Sequence, residues 1–269
     1  MNTILAIFVF VFGAIIGSFL NVVILRLGTG RSLGGRSMCS VTGKPLRWFE
    51  LIPIVSFIIQ GGRSRYSKTK ISWQYPLVEF FTGLLFLFIA IKFLPLIYIR
   101  PELVLINLLF YFIVVSYLIM IFVYDMRHRI IPDTFLYPLA GLIFIGVFCL
   151  PLFLGADINS SIIWPLLAGP VVALPLLALW VITRGKGMGL GDVKLVVPLG
   201  WLLGLSSGFA MLLLSFWIGA VVAIFLIFFA NKKMKSEIPF GPFIIISFIL
   251  TFLYNIDMNS ISAFFGGLI

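Results

Sequence analysis

The sequence predicts an all-α, polytopic integral membrane fold, and three observations carry that prediction. Hydrophobic residues make up 62% of the 269 residues and charged residues 10%, whereas soluble domains are about a quarter charged. The apolar residues come in continuous runs along nearly the whole chain, and a hydrocarbon layer about 30 Å thick needs roughly 20 of them per helical crossing. Transmembrane barrels would instead show short segments of alternating polarity, so helices are what satisfies the backbone in lipid. The net charge of +10 would suggest nucleic acid in a soluble protein. In a membrane chain it reads as orientation, and no nucleic-acid partner is expected.

About eight transmembrane helices are expected. The first covers roughly Thr3 to Leu25, and Gly13, Gly17, Ser18 and Asn21 suit it to close packing against a neighbour. It has neither a basic n-region nor a following small-residue cleavage site, so a retained helix is expected. Residues 26–75 form one sizeable extramembrane module, with nine basic residues against a single acid, Glu50. Within it Leu51 to Ile59 is too short to span and reads as a buried or interfacial segment, and the Gly34-Gly35 and Gly61-Gly62 pairs mark turns. The remaining membrane region, 76–269, holds spans at about Pro76–Ile91, Leu103–Val123, Thr134–Leu154 and Ile162–Ile182. Pro165, Pro170 and Pro175 imply kinks in the last of these. A short sixth run, Val193 to Leu203, stops before Gly204, and further spans cover Phe209–Ala230 and Phe243–Tyr254. Of the two cysteines, Cys39 lies in a polar loop and Cys149 in an apolar run, where it reads as a small core residue, so no disulfide framework is expected.

Loop charge sets the topology. Of the 19 Lys and Arg residues, 17 fall in four segments: 26–75, the loop after Asp125, 184–194 and 231–237. These segments alternate with loops that are nearly free of basic residues. By the positive-inside rule the N-terminus lies outside, the four basic segments are cytoplasmic, and Asp125 and Asp192 share the cytoplasmic face.

Those two aspartates are the candidate chemistry. Asp125 follows the third span, in Tyr124-Asp125-Met126-Arg127-His128, and Asp192 follows Gly189-Leu190-Gly191 at the head of another apolar run. Carboxylates at a membrane face are costly and usually functional. Two that converge cannot easily both ionise, so one keeps a proton while the other acts as a base, the aspartic-protease arrangement. The base activates water against a peptide carbonyl; the acid polarises that carbonyl and protonates the leaving nitrogen. Gly189 and Gly191 would let a substrate strand approach closely. A lone GxGD tetrapeptide is a weak signal, and the second aspartate strengthens it.

Six stretches carry a resemblance to the type IV prepilin peptidase family of bacterial GxGD-type membrane aspartic proteases: Gly17 to Val22, Trp48 to Ser56, Ile71 to Glu79, Asp125 with Ile131-Pro132-Asp133, Gly187 to Lys194, and Pro239-Phe240-Gly241-Pro242. They occur in the expected order from the first span to the last. The resemblance implies that Asp125 and Asp192 are the catalytic pair. It also implies that the chain removes the basic leader of type IV prepilins and pseudopilins after a glycine, on the cytoplasmic side of the inner membrane. Many relatives also methylate the new N-terminal residue with S-adenosylmethionine, a step associated with the large cytoplasmic loop. In many relatives that loop carries two CxxC pairs. Here Cys39 stands with Thr42, Ser64 and Ser67 at those positions, which is no credible zinc ligand set, so no metal is expected.

Supporting roles remain open for several residues. Asp133 reads as a cap for the fourth span, and His128 as a solvated loop residue. Lys194 either holds the charge of Asp192, binds a substrate carboxylate or faces the headgroups. Glu79 pairs with the basic loop or with the substrate's N-terminal region. An ion-coupled transporter using the same carboxylates is the alternative function; it would call for repeated halves, which the chain does not show.

Overall fold

A computed structural model describes residues 2–30, 32, 34–38, 41–98, 101–150, 163–229 and 238–266. Cys39, the basic segment 231–237 and the end of the fourth predicted span lie outside these residues. The described residues form helices α1 (Thr3–Arg26), α2 (Val55–Ile59), α3 (Gln74–Phe93), α4 (Pro101–His128), α5 (Asp133–Phe144), α6 (Ile163–Thr183), α7 (Leu190–Phe229), α8 (Gly241–Tyr254) and α9 (Met258–Gly266). Two isolated bridges, Met38 to Pro45 and Arg63 to Lys70, are the β-structure among them. The all-α membrane class is therefore correct: five of these helices are long and apolar enough to cross a membrane, and two apolar segments, Asp133–Cys149 and Gly241–Tyr254, are shorter.

The chain divides into two compact units, Met1–Met120 and Ile121–Ile269. In the first, α1 lies directly on α3. A Cβ at Gly13 would sit 2.8 Å from the Gly83 Cα, and one at Gly17 would sit 2.8 Å from the Glu79 Cα. The small residues of α1 thus do what small residues do in lipid, bringing two backbones together where no hydrophobic effect drives the helices into contact. Asn21, 1% exposed, donates to the Tyr75 carbonyl and accepts from the Gln74 side chain, so its burial is compensated. Phe86 stacks on Phe112 with centroids 4.1 Å apart.

In the second unit α7 is the hub, packed by α5, α6 and α8. A straight helix of its length would run about 60 Å, twice the hydrocarbon thickness. It bends instead at Gly204, whose φ of 77° and ψ of −178° are non-helical. This is where the sequence placed the end of a short sixth span, although the helix starts earlier than expected, at Leu190. The kinks expected in the fifth span take a milder form, because α6 continues through Pro170 and Pro175. Proline at 170 deprives the Leu166 carbonyl of its helical donor. The Trp201 indole N–H supplies a replacement at 3.0 Å, as backbone in lipid requires. Cys149 is exposed, which corrects its reading as a core residue. On a membrane helix an apolar side chain needs no protein partner.

Candidate functional site

Asp125 is not in a loop. Helix α4 extends through it to His128 and stops where Arg129 turns left-handed, φ 57°. There the Arg129 N–H closes on the Asp125 carbonyl at 2.7 Å, an αL ending that lets a helix finish with satisfied carbonyls. The predicted boundary fell short because the polar run from Asp125 to Arg129 resembles a loop in hydropathy alone. Ile130, Ile131 and Pro132 then lead the chain into α5.

Asp192 sits in the first turn of α7, and its backbone N–H donates to the Gly189 carbonyl at 3.2 Å. Gly189 and Gly191 therefore form the turn that starts the helix, and the positive end of its dipole lies beside the carboxylate. Upstream, Arg184 and Gly185 take positive φ values of 52° and 74° as α6 ends. The Gly187 N–H returns to the Thr183 hydroxyl at 3.3 Å.

The two carboxyl groups line one cleft of about 550 Å³, with Arg129, Lys186 and the glycine-rich strand from Gly185 to Gly189. Asp125 is 4% and Asp192 8% exposed, and their charges interact with each other. Asp125 Oδ2 is buried and meets no hydrogen-bond donor of good geometry among the described residues, although the Gly241 backbone N–H faces the carboxyl. Burying a carboxyl group with so little compensation is expensive, which fits a group kept for chemistry.

Gly241, to which sequence reasoning gave no role of its own, and Gly191, expected there to admit a substrate strand, complete the geometry. A Cβ on Gly241, the first residue of α8, would come within 2.6 Å of Asp125 Oδ2 and 3.1 Å of Ile131 Cδ1. A Cβ on Gly191 would sit 3.0 Å from Ile131 Cβ. Ile131 thus lies wedged between the starts of α7 and α8, and only hydrogen at 191 and 241 leaves room for it. Both positions fall in the family-like motifs, but apolar spacing alone gives no reason to single them out.

Lys194, Asp133 and His128 do not line this cleft. Lys194 donates to both Asp133 oxygens, at 3.0 and 3.2 Å, and to the Tyr137 hydroxyl at 3.2 Å. Lys194 is therefore the partner of Asp133 rather than of Asp192. The cap position of α5 is Pro132, with Asp133 as the first helical residue, and the Asp133 carboxylate is held by the lysine. His128, the last residue of α4, packs against the Tyr124 ring at 4.4 Å. Glu79 belongs to the first unit, where its carboxylate accepts the Ile54 N–H at 2.7 Å. No group of three or more metal-ligating side chains is assembled among the described residues.

Comparison with known proteins agrees with this anatomy. Residues 11–93 match the Bacterial Peptidase A24 N-terminal domain and residues 112–224 the Type IV leader peptidase family. A prepilin leader peptidase/N-methyltransferase of Xanthomonas campestris is 31% identical over 295 residues, covering 95% of this chain and 93% of that protein. One of Bacillus subtilis is 31% identical over 260 residues, covering 95% and 96%, and one of Vibrio cholerae is 31% identical over 249 residues, covering 88% and 92%. No solved structure matches the chain significantly.

Proposed function

The chain belongs to the type IV leader peptidase family, and from that premise we propose that Asp125 and Asp192 are the catalytic pair of a membrane aspartic endopeptidase that removes the basic leader of prepilins and pseudopilins. The observation that carries the reading is the shared cleft: two buried aspartates, one from the end of α4 and one from the start of α7. In so enclosed a space like charges repel, and one proton held between them relieves the repulsion. The ionised member takes a proton from water as its oxygen attacks the scissile carbonyl carbon. The protonated member hydrogen-bonds the carbonyl oxygen. Collapse of the tetrahedral intermediate breaks the C–N bond and returns a proton to the departing nitrogen. The Gly185–Gly189 strand, bare of bulky side chains over most of its length, offers backbone to an extended substrate.

Loop charge supports an inner-membrane protein with its N-terminus outside and this cleft on the cytoplasmic face, where the leader lies. The names of the relatives support a second step, an N-methylation; we give it S-adenosylmethionine as donor and the new N-terminal residue as target, with residues 26–75 as its module and 76–269 as the peptidase region. The dyad cleft, where Arg129 and Lys186 stand beside two carboxyl groups, is taken up by the peptidase reaction, so no step of methyl transfer is routed through it.

Co-expression with a prepilin in cells lacking their own peptidase, followed by intact mass of the product, reads both reactions at once. The expected product has lost the leader and gained one methyl group. Asp125→Asn and Asp192→Asn should each lower cleavage by about 10² to 10⁴-fold while the protein remains inserted. Cleavage retained in either variant would defeat the assignment of the dyad.

A further inference from the structure

The short helix α2 and the turn before it present an arrangement that proteolysis does not use. Ile54 carries φ 62° and ψ −51°, a region that β-branched residues almost never occupy. The Val55 N–H returns to the Pro53 carbonyl, which makes this a γ-turn of the rare, strained hand. What holds it is Glu79, 7% exposed within α3, whose carboxylate accepts the Ile54 N–H at 2.7 Å. Strained backbone survives only where surrounding structure insists on it. Here a buried carboxylate on a membrane helix is committed to orienting a five-residue helix.

The orientation has a visible result. Val55, Ile58 and Ile59, spaced i, i+3 and i+4 on one face of α2, are 47%, 69% and 74% exposed. Trp48, in the 3₁₀ turn that packs on α2, is 77% exposed. The opposite side is used inside the protein: Phe57 packs on Trp73 with centroids 5.0 Å apart. Trp73 directly precedes α3 and is itself 69% exposed, a position where tryptophan marks the membrane–water boundary. Helix α2 is therefore tied, through Phe57 and through Glu79, to the point where α3 enters the bilayer. Around it stand the exposed basic residues Arg47, Arg63, Arg65, Lys68 and Lys70, the charge that complements anionic headgroups.

We propose that Trp48 and the Val55, Ile58 and Ile59 face of α2 form an interfacial anchor seated in the leaflet that α3 enters, with Glu79 and the Ile54 turn setting its angle. Its partner is a bilayer surface bearing anionic phosphates. The anchor would hold the basic module 26–75 flat against the membrane.

Site-directed spin labelling tests this in the full chain. With both native cysteines replaced by serine, a single nitroxide is placed at Ile58→Cys, Ile59→Cys or Lys44→Cys in vesicles of phosphatidylethanolamine and phosphatidylglycerol. Labels at 58 and 59 should relax more with oxygen than with a water-soluble nickel chelate, at a depth about 5–10 Å inside the headgroup boundary. The label at 44 should show the reverse. Glu79→Ala should shift the label at 58 toward water. Equal nickel access at 58 and 44 would overturn the anchor. Nickel access at 58 that falls only when a prepilin's apolar segment is added would overturn it too, because the face would then dock protein. An unchanged depth at 58 in Glu79→Ala would remove the latch.

Discussion

Glu79 and Asp125 are both buried carboxyl groups on membrane helices, 7% and 4% exposed, yet they are used in opposite ways. Glu79 commits its oxygen to the Ile54 N–H at 2.7 Å. Asp125 meets no more than the Gly241 backbone N–H, in a cleft shared with a second carboxylate. Both carry the desolvation cost of a buried acid. In the first case the cost is offset by a hydrogen bond that shapes a loop; in the second the oxygen stays available for a substrate. Burial alone therefore does not separate these two acids, whereas the second carboxyl group beside Asp125 does.

Substitutions at three positions test that contrast. The largest effect is expected at Gly241. Alanine there would put a methyl group 2.6 Å from Asp125 Oδ2, and displacement of the carboxylate or of α8 should lower kcat for leader cleavage about 100-fold with a smaller change in KM. Cleavage assays on detergent-solubilised protein would show it, and wild-type kcat would mean that Asp125 needs no defined position. At Glu79 the effect should be on stability. Glu79→Ala orphans the Ile54 N–H and should cost about 1–3 kcal/mol, read as a lower thermal midpoint in detergent. Glu79→Gln keeps an acceptor and should recover most of that loss. Equal losses in both variants would show that the carboxylate's charge, rather than its hydrogen bond, matters.

The smallest effect belongs to Lys194. Its ion pair with Asp133 has side chains 34% and 53% exposed, and exposed pairs contribute about 0–1 kcal/mol. Lys194→Ala should shift the thermal midpoint little and leave cleavage within a few-fold of wild type. A loss comparable to that of Gly241→Ala would return Lys194 to the site.

Much of this anatomy is legible in the residue order. Long apolar runs can only be helices in lipid, so the membrane class follows from composition. Gly13 and Gly17 announce a tight helix contact, and Gly204 announces the break in α7, because local backbone freedom is a property of the residue itself. Asp192 is legible too, since a charge at the head of an apolar run is conspicuous. Other features are not. The end of α4 falls five residues beyond the predicted span, because a helix continues through polar residues until some residue adopts αL. Lys194 pairs with Asp133 across 61 positions of sequence, a distance at which charge counting cannot choose between two aspartates.

By itself, then, the sequence determined the class of fold and pointed to the two aspartates, both of which rest on hydropathy, charge and local conformation. Only the tertiary structure decided what each acid touches. Glu79 meets a strained amide, Asp133 meets a lysine, and Asp125 meets a glycine whose missing side chain leaves room beside the carboxyl. Those outcomes depend on contacts between residues far apart in the chain, and such contacts form when helices pack rather than when they are written in order.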